Sequence, residues 1–227
     1  TYQPTNLLSH DKFQLTLNNM TYQDPSITAT LPSLRLSTET KEDLLKKIFL
    51  LENLSLTSKE ILDVRAKGQF TQANQQFDAD LQIPLLHVGN LLSHLSGPLM
   101  KGIDEIQPNG RVSLTLRSAG KIPQAHDLNQ LTLPLGVQGK LTLRNLEGAL
   151  AGYHLQGANG NVSLAYSPQA TPQTQLTTDL NLNKIHFPET LPISELSNTA
   201  LHVSIQSPDF NEVQIDPIHV TSKGMDL

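Results

Sequence analysis

The stretch Leu131–Leu143 carries its large apolar side chains at odd-numbered positions and none at even-numbered positions. A period of two is the mark of a β-strand with one apolar face. The same period continues over Tyr153–Tyr166, where Asn159-Gly160, a pair that tolerates positive φ, predicts a turn. The sequence therefore predicts a meander of long antiparallel strands, with an aliphatic face and a face of Thr, Ser, Gln and Asn.

Other parts of the chain repeat this alternation and predict further strands. A turn is predicted at Asp24-Pro25-Ser26 and a chain reversal at Pro108-Asn109-Gly110. The predicted strands are Phe13–Leu17, Ile27–Leu31, Leu54–Leu56, Leu62–Ala66, Phe77–Ile83, Val112–Leu116, Leu176–Leu182, Leu201–Ile205, and Val213–Ile215 running on to Ile218–Val220.

Helical spacing interrupts the strands at two places. Thr40 with Asp43 resembles a capping box, and the apolar residues that follow predict a helix over Thr40–Leu51, although Ile48–Leu56 also fits the start of a strand. A second short amphipathic helix is predicted over 86–96, ending at Gly97-Pro98, with another helical turn before Ile106.

Composition and charge exclude several function classes. The net charge is -5 and no Lys/Arg cluster occurs, which argues against nucleic-acid binding and against attachment to an anionic lipid surface. The chain has no Cys, so thiolate chemistry and disulfides are excluded. It contains no apolar run long enough to span a bilayer, and we interpret residues 1–227 as a fragment of a longer β-groove domain, with a seam near 97–110.

No constellation of residues points to catalysis. His87 and His94 lie seven residues apart without a third ligand at metal-binding spacing, and no nucleophile motif accompanies the Ser, His and Asp residues. The segment Gly157–Gly160 lies between predicted strands and is interpreted as a turn, not a phosphate loop. We therefore expect no enzyme activity, no metal site and no cofactor.

The aliphatic face itself remains as the candidate site. One interpretation is an ordinary sandwich or barrel core. The alternative is a curled, open sheet whose Leu-lined face holds a flexible apolar ligand. The long strands and the 4% aromatic content favour the open groove, because bulky aromatic side chains usually fill a closed core.

The run Gly139–Leu164, in which Leu-x-Leu strands are punctuated by Gly, and the Leu-rich segment Ile83–Gly97 resemble the AsmA-like superfamily. The resemblance implies a mostly β fold, a long curved antiparallel sheet that forms an open, taco-shaped groove, with one or two short helices. It also implies a periplasmic protein of the Gram-negative envelope, anchored in the inner membrane outside this fragment. Its partners would be phospholipid acyl chains, carried without catalysis towards the outer membrane.

The candidate groove follows from the apolar alternation, and the helix at 86–96 is expected to cap one end. An alternative function is a structural β domain that binds an envelope protein by edge-strand addition. The residues predicted to line the groove are Leu131, Leu133, Leu135, Val137, Leu141, Leu143, Leu155, Val162, Leu164, Leu176, Leu180, Leu182, Leu201, Val203 and Ile205.

Overall fold

The strands of the chain form one antiparallel sheet that stays open and does not close into a barrel. The structure is a computed structural model, and it describes residues 8–59, 61–121, 135–150, 152–190, 192–208, 212–222 and 225–226. The predicted fold class, a mostly β chain with an open antiparallel sheet and two short helices, is confirmed.

The described elements follow one another with short connections. In chain order they are β1 (Leu8–Gln23), β2 (Thr28–Asp43), β3 (Ile48–Ser58), β4 (Leu62–Thr71), β5 (Gln76–His87), α1 (Val88–Leu92), β6 (Leu95–Ser96), a 3-10 turn (Pro98–Met100), α2 (Lys101–Ile106), β7 (Asn109–Lys121), β8 (Leu135–Leu150), β9 (Tyr153–Tyr166), β10 (Thr174–His186), β11 (Glu195–Ser207), β12 (Gln214–Ile215), β13 (His219–Ser222) and β14 (Met225–Asp226).

The order of strands in the sheet is almost the order in the sequence. It runs β1-β2-β3-β4-β5-β7-β8-β9-β10-β11-β13-β14, while β6 pairs with β2 and β12 pairs with β11. Each long strand therefore pairs with the strand before it and the strand after it. Among the described residues, no helix is long and apolar enough to cross a membrane.

The predicted helix over Thr40–Leu51 is wrong. Strand β2 continues to Asp43, and its carboxylate accepts hydrogen bonds from the backbone N–H groups of Leu45 and Lys46 at 3.1 and 2.9 Å. Lys47 then adopts φ 54°, and β3 begins at Ile48. The side chain that suggested a helix cap therefore closes a tight turn between two strands.

The predicted turn at Asn159-Gly160 is also wrong. Both residues lie inside β9, and Gly160 pairs with Leu143 of β8 and Leu180 of β10. The chain reverses earlier, around Gly152, which has φ 86°. Residues of the Gly157–Gly160 segment do have positive φ, but they bend a strand and do not end it.

Positive φ values occur at corresponding places in several strands. Gly110, Asn145, Gly157 and Asn198 have φ 121°, 49°, 64° and 50° in β7, β8, β9 and β11. We call these four residues the left-handed row. The β7–β8 and β8–β9 registers shift near this row, as at a β-bulge, whereas the β9–β10 and β10–β11 registers do not shift.

The apolar positions step by three residues beyond this row. In β10 they run Leu180, Leu182 and then Ile185. Ile185 pairs with Leu155 of β9 and Leu196 of β11, so apolar residues of the three strands stay opposite one another.

The segment between β5 and β7 is less helical than predicted. Strand β5 continues to His87, so α1 has five residues instead of the eleven predicted over 86–96. Strand β6 pairs with β2 through Leu95 and Ser96, which joins this segment to the sheet beyond the end of the β3–β4 hairpin. Met100 in this segment is 2% exposed, and Ile61 in the hairpin turn is 3% exposed.

Substituting Gly160 tests whether β9 crosses the sheet as described. A Cβ at position 160 would overlap the carbonyl oxygen of Asp179 in β10, and φ is 155°. We expect Gly160→Ala to lower the free energy of unfolding by at least about 2 kcal/mol in urea denaturation. The matched control is Gly136→Ala, because the nearest atom to its Cβ would be 3.6 Å away. Equal stabilities of the two variants would contradict the pairing.

The β1–β2 turn gives a pH prediction. The Asp24 carboxylate accepts hydrogen bonds from the Ser26 hydroxyl and from the backbone N–H groups of Ser26 and Ile27, and these bonds lower the pKa of Asp24 to about 2. Since the folded pKa lies below the ordinary 3.8, the carboxylate stabilises the fold above pH 4, and this contribution is lost as the pH falls to 2. Asp24→Asn should flatten the stability profile between pH 4 and 2, and an unchanged profile would contradict this role.

Candidate functional site

Register places one residue from each of ten strands in a continuous row, and eight of the ten carry an apolar side chain. Direct partners in an antiparallel pair lie on the same face of the sheet. The pairs connect strand to strand from β1 to β11, in the order Phe13, Thr38, Leu54, Ala66, Leu81, Leu116, Gly139, Leu164, Leu176 and Ile205. We call the side of the sheet that carries this row the apolar face.

The length of this row is set by the spacing of strands. Ten strands at about 4.8 Å give a path of roughly 43 Å along the sheet. One leaflet of a bilayer has a hydrocarbon depth of roughly 15 Å. The apolar face therefore extends well beyond the length of one acyl chain.

The described strands form one open sheet, and every described groove residue keeps some exposure to solvent. The buried apolar side chains are Ile61, Met100 and Ala158, and none of these is among the predicted groove residues. The interpretation as an ordinary sandwich core, which needs a facing sheet, is therefore wrong for the described part of the chain.

The structure places most predicted groove residues on the apolar face. Leu131 and Leu133 lie outside the described residues. Leu164 is 38% exposed. The other described members are half-buried and lie on the four strands β8 to β11: Leu135, Val137, Leu141, Leu143, Leu155, Val162, Leu176, Leu180, Leu182, Leu201, Val203 and Ile205.

Half of the apolar face was missed from the sequence. Strands β1 to β7 contribute the same kind of side chain, and Phe13, Leu15 and Leu17 are 53%, 39% and 37% exposed. Their period of two was recognised, but it gives no information on which sheet a strand joins. The pairing of β7 with both β5 and β8 is what joins the two halves.

The opposite side of the sheet, which we call the polar face, carries ion pairs. Arg117 of β7 holds Asp78 of β5 with two hydrogen bonds at 2.7 and 3.3 Å. This pairing lowers the pKa of Asp78 and raises the pKa of Arg117. His202 of β11 contacts Asp179 of β10 at 2.5 Å. Charges thus lie on the side that is turned away from the apolar face.

A group with metal-binding potential occurs on the polar face of β1, β2 and β3. His10, Glu39 and Glu52 each offer a ligand atom, and these atoms lie within 4.8 Å of one another. However, Lys12 contacts Glu39 at 2.8 Å and Lys41 contacts Glu52 at 2.6 Å. The Lys12 and His10 hydrogen bonds lower the pKa of Glu39. Both carboxylates already have ammonium partners, so we interpret the group as an ion-pair network.

The sequence did not predict this network, because its members come from three strands. Glu39 lies opposite Lys12 in the β1–β2 register, and Glu39 pairs with Asn53, next to Glu52, in the β2–β3 register. The network can be predicted only if the first three strands are paired correctly. The incorrectly predicted helix over 40–51 excluded the pairing of β2 with β3.

If the apolar face is open, removing one of its side chains should lower the free energy of unfolding only slightly. Leu164 already contacts solvent, so Leu164→Ala should lower the free energy of unfolding by about 1 kcal/mol, since little apolar area returns to water and no cavity forms. Met100→Ala, at a 2% exposed position, should cost about 2 to 5 kcal/mol. Urea denaturation measures both, and an equal loss for the two variants would indicate that Leu164 lies in a closed core.

No protein-family model, no curated protein and no solved structure matches this chain.

Proposed function

We propose that this chain is a non-catalytic, phospholipid-binding conduit. The observation that supports the proposal best is the apolar face, which extends across ten strands of an open sheet and whose described groove residues stay partly exposed. Soluble domains usually cover such a face with a second sheet or with helices. An apolar ligand that occupies the face would remove the same area from water.

The energetics of an acyl chain fit such a surface. Exposing one methylene group to water costs about 0.8 kcal/mol, so a chain of about sixteen carbons costs on the order of 12 kcal/mol to expose. The aliphatic contacts of Leu, Val and Ile are non-directional. Successive positions along the face therefore hold an acyl chain with similar strength, and a lipid can move along them without being trapped.

The proposal includes a location. Together with the resemblance of Gly139–Leu164 to the AsmA-like superfamily, the open face supports a role in the periplasm of a Gram-negative envelope. There the protein, anchored in the inner membrane outside this fragment, would carry phospholipid between the inner and outer membranes.

A charge placed on the apolar face tests the proposal. Leu164→Asp should abolish the binding of a fluorescent phospholipid, because an acyl chain cannot cover a carboxylate without desolvating it. The matched control is Ala165→Asp, one residue further along β9 on the polar face, where Ala165 is exposed and pairs with Gln138 and Gln175. Native mass spectrometry of the purified chain should also detect co-purified phospholipid.

The control separates loss of binding from loss of folding. Both variants should keep the far-UV circular dichroism of the wild-type chain, and Ala165→Asp should bind the phospholipid as the wild type does. A wild-type chain that binds no fluorescent phospholipid, or a Leu164→Asp variant that binds it normally, would overturn the proposal.

The edge strand β1 supports a second candidate, a structural domain that binds an envelope protein by strand addition. Among the described strands, β1 pairs with β2 on one side and has no partner on the other. Its residues are mostly exposed over sixteen positions, a length that offers an extended peptide many backbone hydrogen bonds. The phospholipid experiment decides between the two, because a docking module holds no lipid and is insensitive to Leu164→Asp.

A further inference from the structure

A cavity of about 590 Å3 lies at the end of the β3–β4 hairpin, away from the row of apolar side chains. It forms because this hairpin turns back at Ser58–Leu62, while β2 continues to Thr28 and β5 continues to His87. We call it the hairpin-end cavity. Its volume lies within the range of small-molecule sites, roughly 300 to 1,000 Å3.

The lining of the hairpin-end cavity is rich in cations and hydroxyl groups. Arg35, Lys59 and His87 line it together with Ser33 and Ser58. Among the described residues, neither Arg35 nor Lys59 forms an ion pair, and Arg35 donates to the neutral Gln14 at 3.0 Å. Glu60, which follows Lys59 in the sequence, lies outside the described residues.

The one described carboxylate in the lining is already neutralised. Asp63 accepts two hydrogen bonds from Arg65, at 3.0 and 2.7 Å. This bidentate pair occupies both carboxylate oxygens. Among the described lining residues, the positive charges of Arg35 and Lys59 therefore have no carboxylate partner.

Ser58 also belongs to the lining of the cavity. The residue is 3% exposed, and its hydroxyl has no hydrogen-bond partner within the described part of the chain.

We propose that the hairpin-end cavity binds a phosphate ester. Phosphate oxygens accept hydrogen bonds from guanidinium and ammonium groups, which Arg35 and Lys59 supply at this cavity. Leu85 and Leu62 give the same cavity an apolar part, so its shape and chemistry fit an ester with an organic substituent better than free phosphate. The inference rests on the cavity alone and does not require the apolar face to carry lipid.

Calorimetric titration of the chain tests the proposal with three probes: inorganic phosphate, glycerol 3-phosphate and dihexanoyl phosphatidylglycerol. The variant Arg35→Gln/Lys59→Gln should weaken binding of the esters at least about tenfold, because two charge-assisted hydrogen bonds are lost. The matched control is Lys121→Gln/Lys140→Gln, which removes the same charge from β7 and β8, outside the cavity. The control variant should bind the esters with an affinity within about twofold of the wild-type affinity.

The three probes distinguish the source of the phosphate. Binding of glycerol 3-phosphate that Arg35→Gln/Lys59→Gln weakens supports a soluble ester, and the same loss with the short-chain lipid alone supports a lipid headgroup. Failure of both esters to bind the wild type overturns the proposal. Equal weakening in the two double variants also overturns it, since the binding would then be unspecific attraction to positive charge.

Two further measurements distinguish binding in the hairpin-end cavity from binding on the apolar face. An uncharged pyrenyl alkane should bind Arg35→Gln/Lys59→Gln as it binds the wild type, and Leu164→Asp should lose this probe while it keeps glycerol 3-phosphate.

Discussion

Backbone hydrogen bonds between adjacent strands carry most of the organisation of this chain, because its side chains have few partners outside the plane of the sheet. In a sandwich, burial between two layers fixes the position of each strand. Here each long strand is positioned by the ladders on its two sides, and apolar side chains of the same face touch along rows that cross the ladders. Where strands are not held between layers, register must come from the turns and from the pairing of apolar positions.

The separation of the two faces follows from the same constraint. With one layer, each strand needs one set of alternate positions that tolerates water and one that contacts apolar neighbours. Ion pairs such as Arg117 with Asp78 cross between strands on the polar face, where they stay hydrated and contribute to register more than to stability. The apolar face carries half-buried leucines instead of ion pairs, and these contact apolar neighbours along the sheet.

Strands were predictable from sequence where alternation was strict, and the failures have physical causes. The alternation over β8, β10 and β11 follows the pleat of a strand directly, so strands were correctly predicted there. In Ile48–Leu51 four apolar residues follow one another, which erases the period of two and leaves helix and strand indistinguishable. Gly160 was misread for a different reason: positive φ usually marks a turn, and only the partners on both sides show that the strand continues.

The hairpin-end cavity could not be predicted from the sequence. Arg35, Ser58 and His87 lie on β2, β3 and β5, and no spacing rule connects them. They meet because one hairpin is shorter than its neighbours, a property that depends on the register of four strands together. Sites of this kind become visible when the pairing is known.

The consecutive strand order has a consequence for how such a protein changes size. Since nearly every ladder joins segments that are close in the sequence, a growing chain can add one hairpin at a time to an existing edge, and assembly can proceed in the direction of synthesis. Duplicating a hairpin would lengthen the sheet by roughly 10 Å without rearranging the strands already in place. The span of the molecule is thus a quantity that gene duplication can adjust in steps.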